Sequence, residues 1–187
     1  MDFSEEIFQS QDFTDQTFKG HFYDECHFAN CNFENTHMGY AHFENCEFEH
    51  CNLQTVKVTQ AKWQEVAFKN CRLSGIDFEN ISPMLLSISF ENCQLSYCVF
   101  RGLKLAGTRF LNSEVKECDF INTDLSKALF TGSSLERSTF EQCNLQQADF
   151  RKAVNYRFDP WQNQIKKAQF SSPEVLVLLD GFDIEIE

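Results

Sequence analysis

A large apolar residue stands at every fifth position along most of this chain, and that spacing limits the possible folds more than any other feature. The series runs Phe8, Phe13, Phe18, Tyr23, Phe28, Phe33, Met38, Phe43, Phe48, Leu53, Val58, Trp63, Phe68, Leu73 and Phe78. A two-residue insertion within residues 79–89 shifts the register. The series resumes at Phe90 and continues through Leu95, Phe100, Leu105, Phe110, Val115, Phe120, Leu125, Phe130, Leu135, Phe140 and Leu145 to Phe150. One face of a helix repeats about every 3.6 residues and one face of a flat strand every second residue, so a period of five fits neither. Units that cannot bury an apolar side alone stack on their neighbours, which makes a solenoid.

Two residues before each centre lies a second inward position, mostly small. Its occupants include Cys26, Cys31, Ala41, Cys46, Cys51, Ala61 and Cys71, then Cys93, Cys98, Thr108, Ser113, Cys118, Thr123, Ala128, Ser133, Ser138, Cys143 and Ala148. The other three residues of each unit are mainly polar, so two side chains point in and three point out. Corners need unusual backbone angles. The second residue after each centre supplies them, with Gly20, Gly75, Gly102, Gly107 and Gly132 alongside Asn30, Asn35, Asn45, Asn70, Asn80, Asn92, Asn112 and Asn122.

Units such as Ala148-Asp149-Phe150-Arg151-Lys152 and Cys143-Asn144-Leu145-Gln146-Gln147 make the chain resemble the pentapeptide-repeat family. That resemblance implies an all-β fold, a right-handed quadrilateral β-helix with four units per turn. Residues twenty apart should then stack. Phe8, Phe28, Phe48, Phe68, Phe90, Phe110, Phe130 and Phe150 form one such column, and Phe18, Met38, Val58, Phe78, Phe100, Phe120 and Phe140 form the opposite one. The two faces between them turn aliphatic. Counting Leu85 as a centre beneath Leu105, Leu125 and Leu145 keeps the columns in phase and makes the insertion a bulge at one corner. About seven coils spaced ~4.8 Å apart are expected.

All nine cysteines occupy the small inward slot, where cysteine serves as an apolar filler. No Cys-x-x-Cys pair occurs, so neither a metal site nor a disulfide framework is expected. The five histidines (His21, His27, His37, His42 and His50) crowd the first quarter of the chain. Four fall in outward slots of different faces and His21 in an inward one, which disperses them. No catalytic residues and no cofactor are expected, because a filled solenoid leaves no cleft.

The net charge is −12, which disfavours direct contact with nucleic acid or an anionic membrane. Residues 1–50 hold eleven acids against Lys19 alone, residues 51–170 are slightly basic, and the last seventeen carry no base. No run of about 18 apolar residues suggests a membrane span. The acidic start, Met1-Asp2-Phe3-Ser4-Glu5-Glu6, is unlike a signal peptide, so a cytoplasmic location is expected.

The repeats are expected to occupy residues 1–158, followed by a capping or dimerisation segment over 159–187 in which Trp161 to Phe170 cover the last coil. Ser172-Pro173-Glu174 reads as the start of a helix, and Gly181 as its end. Phe182, Ile184 and Ile186 alternate with acids as a short strand. The helix is apolar nearly all round, so Val175, Leu176, Leu178, Leu179, Phe182 and Ile184 are expected to join two copies into a homodimer.

In length and in this ending, the chain resembles the family branch that acts on type II topoisomerases: the Qnr-type, mycobacterial fluoroquinolone-resistance and microcin-immunity proteins. The resemblance implies a non-enzymatic protein that binds DNA gyrase or topoisomerase IV and modulates or protects it, in partial mimicry of DNA. Asp24, Glu25, Glu44, Glu47, Glu49, Glu65, Met84 and Leu86 form the expected partner-binding surface. A scaffold for an unrelated protein partner is the alternative. The near-neutral middle of the chain and the absence of long projecting loops both depart from that branch.

Overall fold

The computed structural model describes residues 1–182, 184 and 185, which wind into a four-sided β-solenoid of about eight turns. Its strands are two to four residues long and all pair in parallel. Partners are twenty residues apart, as in Phe28↔Phe48, and twenty-two across the insertion, as in Phe68↔Phe90. Three sides carry ladders of four to six strands. The fourth is held mostly by single bridges such as Thr17↔His37 and Val99↔Asp119.

The core is the set of columns expected from the five-residue period. Along the Phe8 column, successive rings stack in near-parallel planes, at 4.7 Å for Phe28–Phe48 and 5.1 Å for Phe110–Phe130. The column reaches one ring further than Phe150, to Phe170 at 5.2 Å. Rings of neighbouring columns meet edge-on, as with Phe110 and Phe120 at 5.7 Å and 90°. Both arrangements suit the ring quadrupole. The repeat also begins earlier than Phe8, because Phe3 stacks on Tyr23 at 4.8 Å and the strand Asp2–Ser4 pairs with Phe22–Asp24. These additions at the two ends raise the turn count from the expected seven.

Nearly every corner repeats one conformation. The second residue after nearly every centre has a positive φ, whether it is glycine (Gly132, 75°), asparagine (Asn92, 53°) or a residue as bulky as Tyr40 or Arg137. Left-handed backbone costs an L-residue roughly 1–2 kcal/mol, so stacking must hold the non-glycine corners in place. Asn80 departs from its expected role. It ends a 3₁₀ turn, Phe78–Asn80, and its amide donates to Asp77 Oδ2 at 2.6 Å.

The insertion is where expectation and structure differ most. Leu85 is not an inward centre: it lies 68% exposed with φ of 58°. Leu86, expected as an exposed contact, instead packs against the core. The cause is Trp63 in the coil beneath. Its indole is fully buried and turned 89° from Phe43, which breaks the stack of Phe3, Tyr23 and Phe43. Above it, Ser82 donates to Ala61 O and Ser87 to Trp63 O. Four residues, 83–86, thus span a gap that one residue spans in a regular coil such as His42–Glu44. The swollen turn accommodates the larger ring.

Past Tyr156, Asn163 takes the small inward slot. Its Oδ1 accepts from the Cys143 N–H at 2.9 Å and its Nδ2 donates to Phe140 O at 3.0 Å. Ile165 and Phe170 then follow Leu145 and Phe150 in register, with Gln169–Phe170 paired to Asp149–Phe150. Residues 161–170 therefore cover the last coil by adding two further sides to it. The helix that follows, Glu174–Phe182, is a 3₁₀ helix that includes Gly181. Its first bonds run from Val175 N to Ser171 O and from Leu176 N to Pro173 O. Of the expected terminal strand, Ile184 and Glu185 carry no pairing, while Asp183, Ile186 and Glu187 lie outside the described residues.

Candidate partner-binding surface

The strands Phe22–Asp24, His42–Glu44 and Lys62–Gln64 share one sheet. Residues on either side of a centre point outward, so this face presents Asp24 and Glu44 in one row and Glu25 and Glu65 at its corner. Glu5 and Asp2 extend the acidic area by one coil. Asp24 and Glu44 accept only from neutral amides along the ladder, Asn45 Nδ2 and Gln64 Nε2, both at 3.3 Å. Among the described residues, neither Asp24, Glu25 nor Glu65 has a basic partner within 4 Å. Lys62 is the one lysine or arginine on this face below the bulge.

Met84 and Leu85, 64% and 68% exposed, project where the bulge swells beside this face. Beyond the bulge the face changes sign, with Lys104, Lys127, Lys166 and Lys167 against Asp124. Phe22 was missed by the sequence reading. It sits outward beside Asp24 and packs edge-on against His42 at 4.8 Å. Its position one residue before the centre Tyr23 is the signal that marks it as outward.

Glu47 and Glu49 do not belong to this face. They lie on the strand Glu47–Glu49 in the neighbouring sheet. There Lys69 Nζ is 2.6 Å from Glu47 Oε2, and His50 Nε2 is 3.9 Å from Glu49 Oε1. Of the eight residues expected on the partner surface, Asp24, Glu25, Glu44 and Glu65 come together with Met84 beside them. Glu47 and Glu49 are turned away, and Leu86 packs inward.

His27 lies beside two acids, a grouping the sequence reading did not consider. It faces Glu47 across the ladder. Among the described residues, His27, Glu47 and Glu49 are the three donors close enough to hold one metal ion. His21 sits in its inward slot with Nδ1 3.2 Å from the Tyr23 hydroxyl, and burial lowers its pKa. The cysteines line the core as expected, none paired. Burial pushes the Cys143 thiol up to about 11 and the Cys46 thiol up to about 12, so neither is a nucleophile near neutrality.

At the other end, the three-residue turn of the last helix sorts its apolar side chains. Val175 and Leu178 lie on the stripe turned toward the coil, with Leu178 buried. Leu176, Leu179 and Phe182 form a second stripe. Both stripes line an almost wholly apolar hollow of about 520 Å³, Val175 and Leu178 as well as Leu176, Leu179 and Phe182, together with Pro160, Trp161, Ile165 and Phe170. Trp161, 81% exposed, lies with its ring 6.1 Å from that of Phe182 and was not among the expected interface residues. Arg157 pins the helix through Asp180 at 3.1 Å. Ile184 is exposed beyond it.

No curated protein sequence matches this chain significantly. Its fold is similar to that of a trypsin-treated form of QnrB1, a plasmid-mediated fluoroquinolone resistance protein, at 15% identity over the full length of both chains (TM-score 0.64). It is also similar to HetL, a pentapeptide repeat protein involved in heterocyst differentiation regulation from the cyanobacterium Nostoc sp. strain PCC 7120. There the identity is 13% over 89% of this chain and 85% of that one (TM-score 0.54). The model of the pentapeptide repeat region matches residues 21–82 and 81–150. With that match, the five-residue columns and the four-sided coil, the chain belongs to the pentapeptide-repeat family.

Proposed function

We propose that this protein is a non-enzymatic binder of a type II topoisomerase, DNA gyrase or topoisomerase IV, which it modulates or protects by presenting its acidic face where DNA would lie. The carboxylates of that face carry the reading: among the described residues none is paired with a lysine or arginine, and only Glu44 has a histidine, His42, at 4.0 Å. Asp2, Glu5, Asp24, Glu25, Glu44 and Glu65 span four coils spaced ~4.8 Å apart, which is about one carboxylate every 3 Å. One DNA strand carries one phosphate per ~3.4 Å. The face therefore offers a basic groove the linear charge of a single strand, and Phe22, Met84 and Leu85 add apolar contacts beside it. One protein of similar fold is a plasmid-mediated fluoroquinolone resistance protein, which makes the response to a quinolone the first property to test. A cytoplasmic location follows from a topoisomerase partner. No described helix is long and apolar enough to cross a membrane.

The apolar hollow at the far end is proposed to close against a second copy, giving a homodimer with the two acidic ends outermost. Leu176→Asp and Leu179→Asp should halve the mass seen by light scattering; a monomeric parent protein would refute the dimer. For the partner, supercoiling by purified gyrase is measured with and without a quinolone. The protein should alter inhibition or drug protection at micromolar concentration, and an Asp24→Lys, Glu25→Lys, Glu44→Lys triple variant should lose the effect. No effect of the parent protein, or an undiminished effect of the variant, overturns the reading. The sign change beyond the bulge favours the second reading, a scaffold for a protein whose own surface is part basic and part acidic. It gains ground if gyrase does not respond.

A further inference from the structure

We propose that His27, Glu47 and Glu49 form a binding site for one divalent zinc-class cation on the face next to the acidic one. The geometry is local and set by the coil. His27 and Glu47 are cross-ladder partners, and Glu49 lies two residues along the same strand, so all three side chains point out of one sheet. His27 Nε2 is 3.8 Å from Glu47 Oε1 and 3.5 Å from Glu49 Oε2. Three ligands around a tetrahedral zinc stand about 3.3 Å apart when each bond is ~2.0–2.1 Å. The two histidine–carboxylate distances are within about half an ångström of that spacing, and all three donors lie within 4.8 Å of one another.

Two further observations separate this cluster from an ordinary patch of exposed charge. The Nε2 atom of His27 is closed off from solvent and has no hydrogen-bond partner, although the imidazole as a whole is 35% exposed. Both carboxylates also divide their oxygens in the same way. Glu47 gives Oε2 to Lys69 and leaves Oε1 toward His27; Glu49 has Oε1 toward His50 and leaves Oε2 toward His27. An outer partner that holds the far oxygen of a ligating carboxylate orients a metal ligand, and Lys69 does so for Glu47 at 2.6 Å. Ala29, small and buried on the same strand as His27, leaves room beside the ring.

One imidazole and two carboxylates suit a borderline divalent ion, zinc foremost, over calcium or magnesium, which prefer oxygen alone. Three protein ligands leave a fourth position, and on this outward face it would open to solvent. A water, or a donor from another chain, would complete the shell. The site is independent of the topoisomerase reading, since it lies on a different sheet from Asp24 and Glu44. Loss of zinc binding and loss of a gyrase effect are therefore separable results.

The test is calorimetric titration of zinc chloride into the chelator-treated, reduced full-length chain near pH 7.5. One equivalent should bind with micromolar affinity. His27→Ala and Glu49→Gln should each weaken binding by at least about tenfold. His42→Ala, which removes a histidine facing only one carboxylate at 4.0 Å, should not. Cobalt substituted for zinc should give a visible spectrum without a thiolate charge-transfer band, which excludes the cysteines as ligands. Glu49→Gln keeps the side chain's shape at an exposed position, so it decides the matter even if His27→Ala folds poorly. Absence of binding, equal binding by Glu49→Gln, or a thiolate band would each overturn the proposal.

Discussion

Truncating Phe110 to alanine tests the central claim about the core, that a continuous ring column holds the coils together. Phe110 is fully buried, stacked at 5.1 Å on both Phe90 and Phe130, and meets Phe100 and Phe120 edge-on at 6.0 and 5.7 Å. Removing a buried phenylalanine costs about 3–5 kcal/mol, and a ring held on four sides belongs at the upper end of that range. The column cannot collapse onto the gap, because strand spacing fixes the coils ~4.8 Å apart. Phe8→Ala is the internal comparison. Phe8 is only half-buried and stacks on a single ring above it, Phe28 at 4.8 Å, so its truncation should cost about 2 kcal/mol. Guanidinium unfolding followed by far-ultraviolet circular dichroism measures both. Phe110→Leu, which keeps most of the volume, should lose about 1.5 kcal/mol or less. Equal costs for Phe110→Ala and Phe8→Ala, or a Phe110→Ala cost under about 1 kcal/mol, would refute the reasoning.

Three other outcomes follow from particular side chains. Leu85→Asp should leave the unfolding midpoint unchanged, whereas Leu86→Asp should lower stability by about 2 kcal/mol, because it places a charge against the core; equal effects would contradict the assignment at the bulge. None of the nine buried cysteines should react with Ellman's reagent in the folded protein, and all nine should react in guanidinium. Rapid labelling of the native state would mean an open core. The Arg151 guanidinium, at 2.9 and 2.7 Å from the carboxylate oxygens, holds the Asp149 carboxyl below its ordinary value. A depressed folded value makes this pair stabilising above pH ~4 and removes that contribution as pH falls through the folded value. Asp149→Asn should therefore be less stable than the parent at pH 7, with the gap closing as pH falls through the lowered folded value, and a gap unchanged with pH would exclude the pair as its source.

The five-residue spacing by itself excluded a helix and a flat strand and set a two-in, three-out pattern of side chains. That the coil has four sides was what the resemblance to the pentapeptide-repeat family implied, and the corners were legible from the glycines and asparagines two residues after the centres. The cysteines, scattered by count, were explained by register alone, since every one falls in the same small slot. The acidity of the first fifty residues was equally legible, because charge is additive along a chain.

Which acids face together was not, because that depends on how four sides divide residues only a few positions apart. Glu44 and Glu47 are three residues apart, yet a corner lies between them. The first stays unpaired by any lysine or arginine on its face, and the second is held by Lys69, a residue twenty-two positions away. The same turn of the coil brings His27 against Glu47 and Glu49, a grouping of residues twenty and twenty-two positions apart that only the stacking of coils makes. The exchange of roles between Leu85 and Leu86 was likewise decided by packing. Period arithmetic cannot know that Trp63, one coil below, needs a wider turn above it. At the C-terminus the sequence offered a helix apolar all round. Its three-residue pitch set Val175 and Leu178 against the coil, and these two line the open hollow together with Leu176, Leu179 and Phe182. Local periodicity specified the solenoid, while the grouping of its surface residues arose only when the coils stacked and put distant residues within a few ångströms.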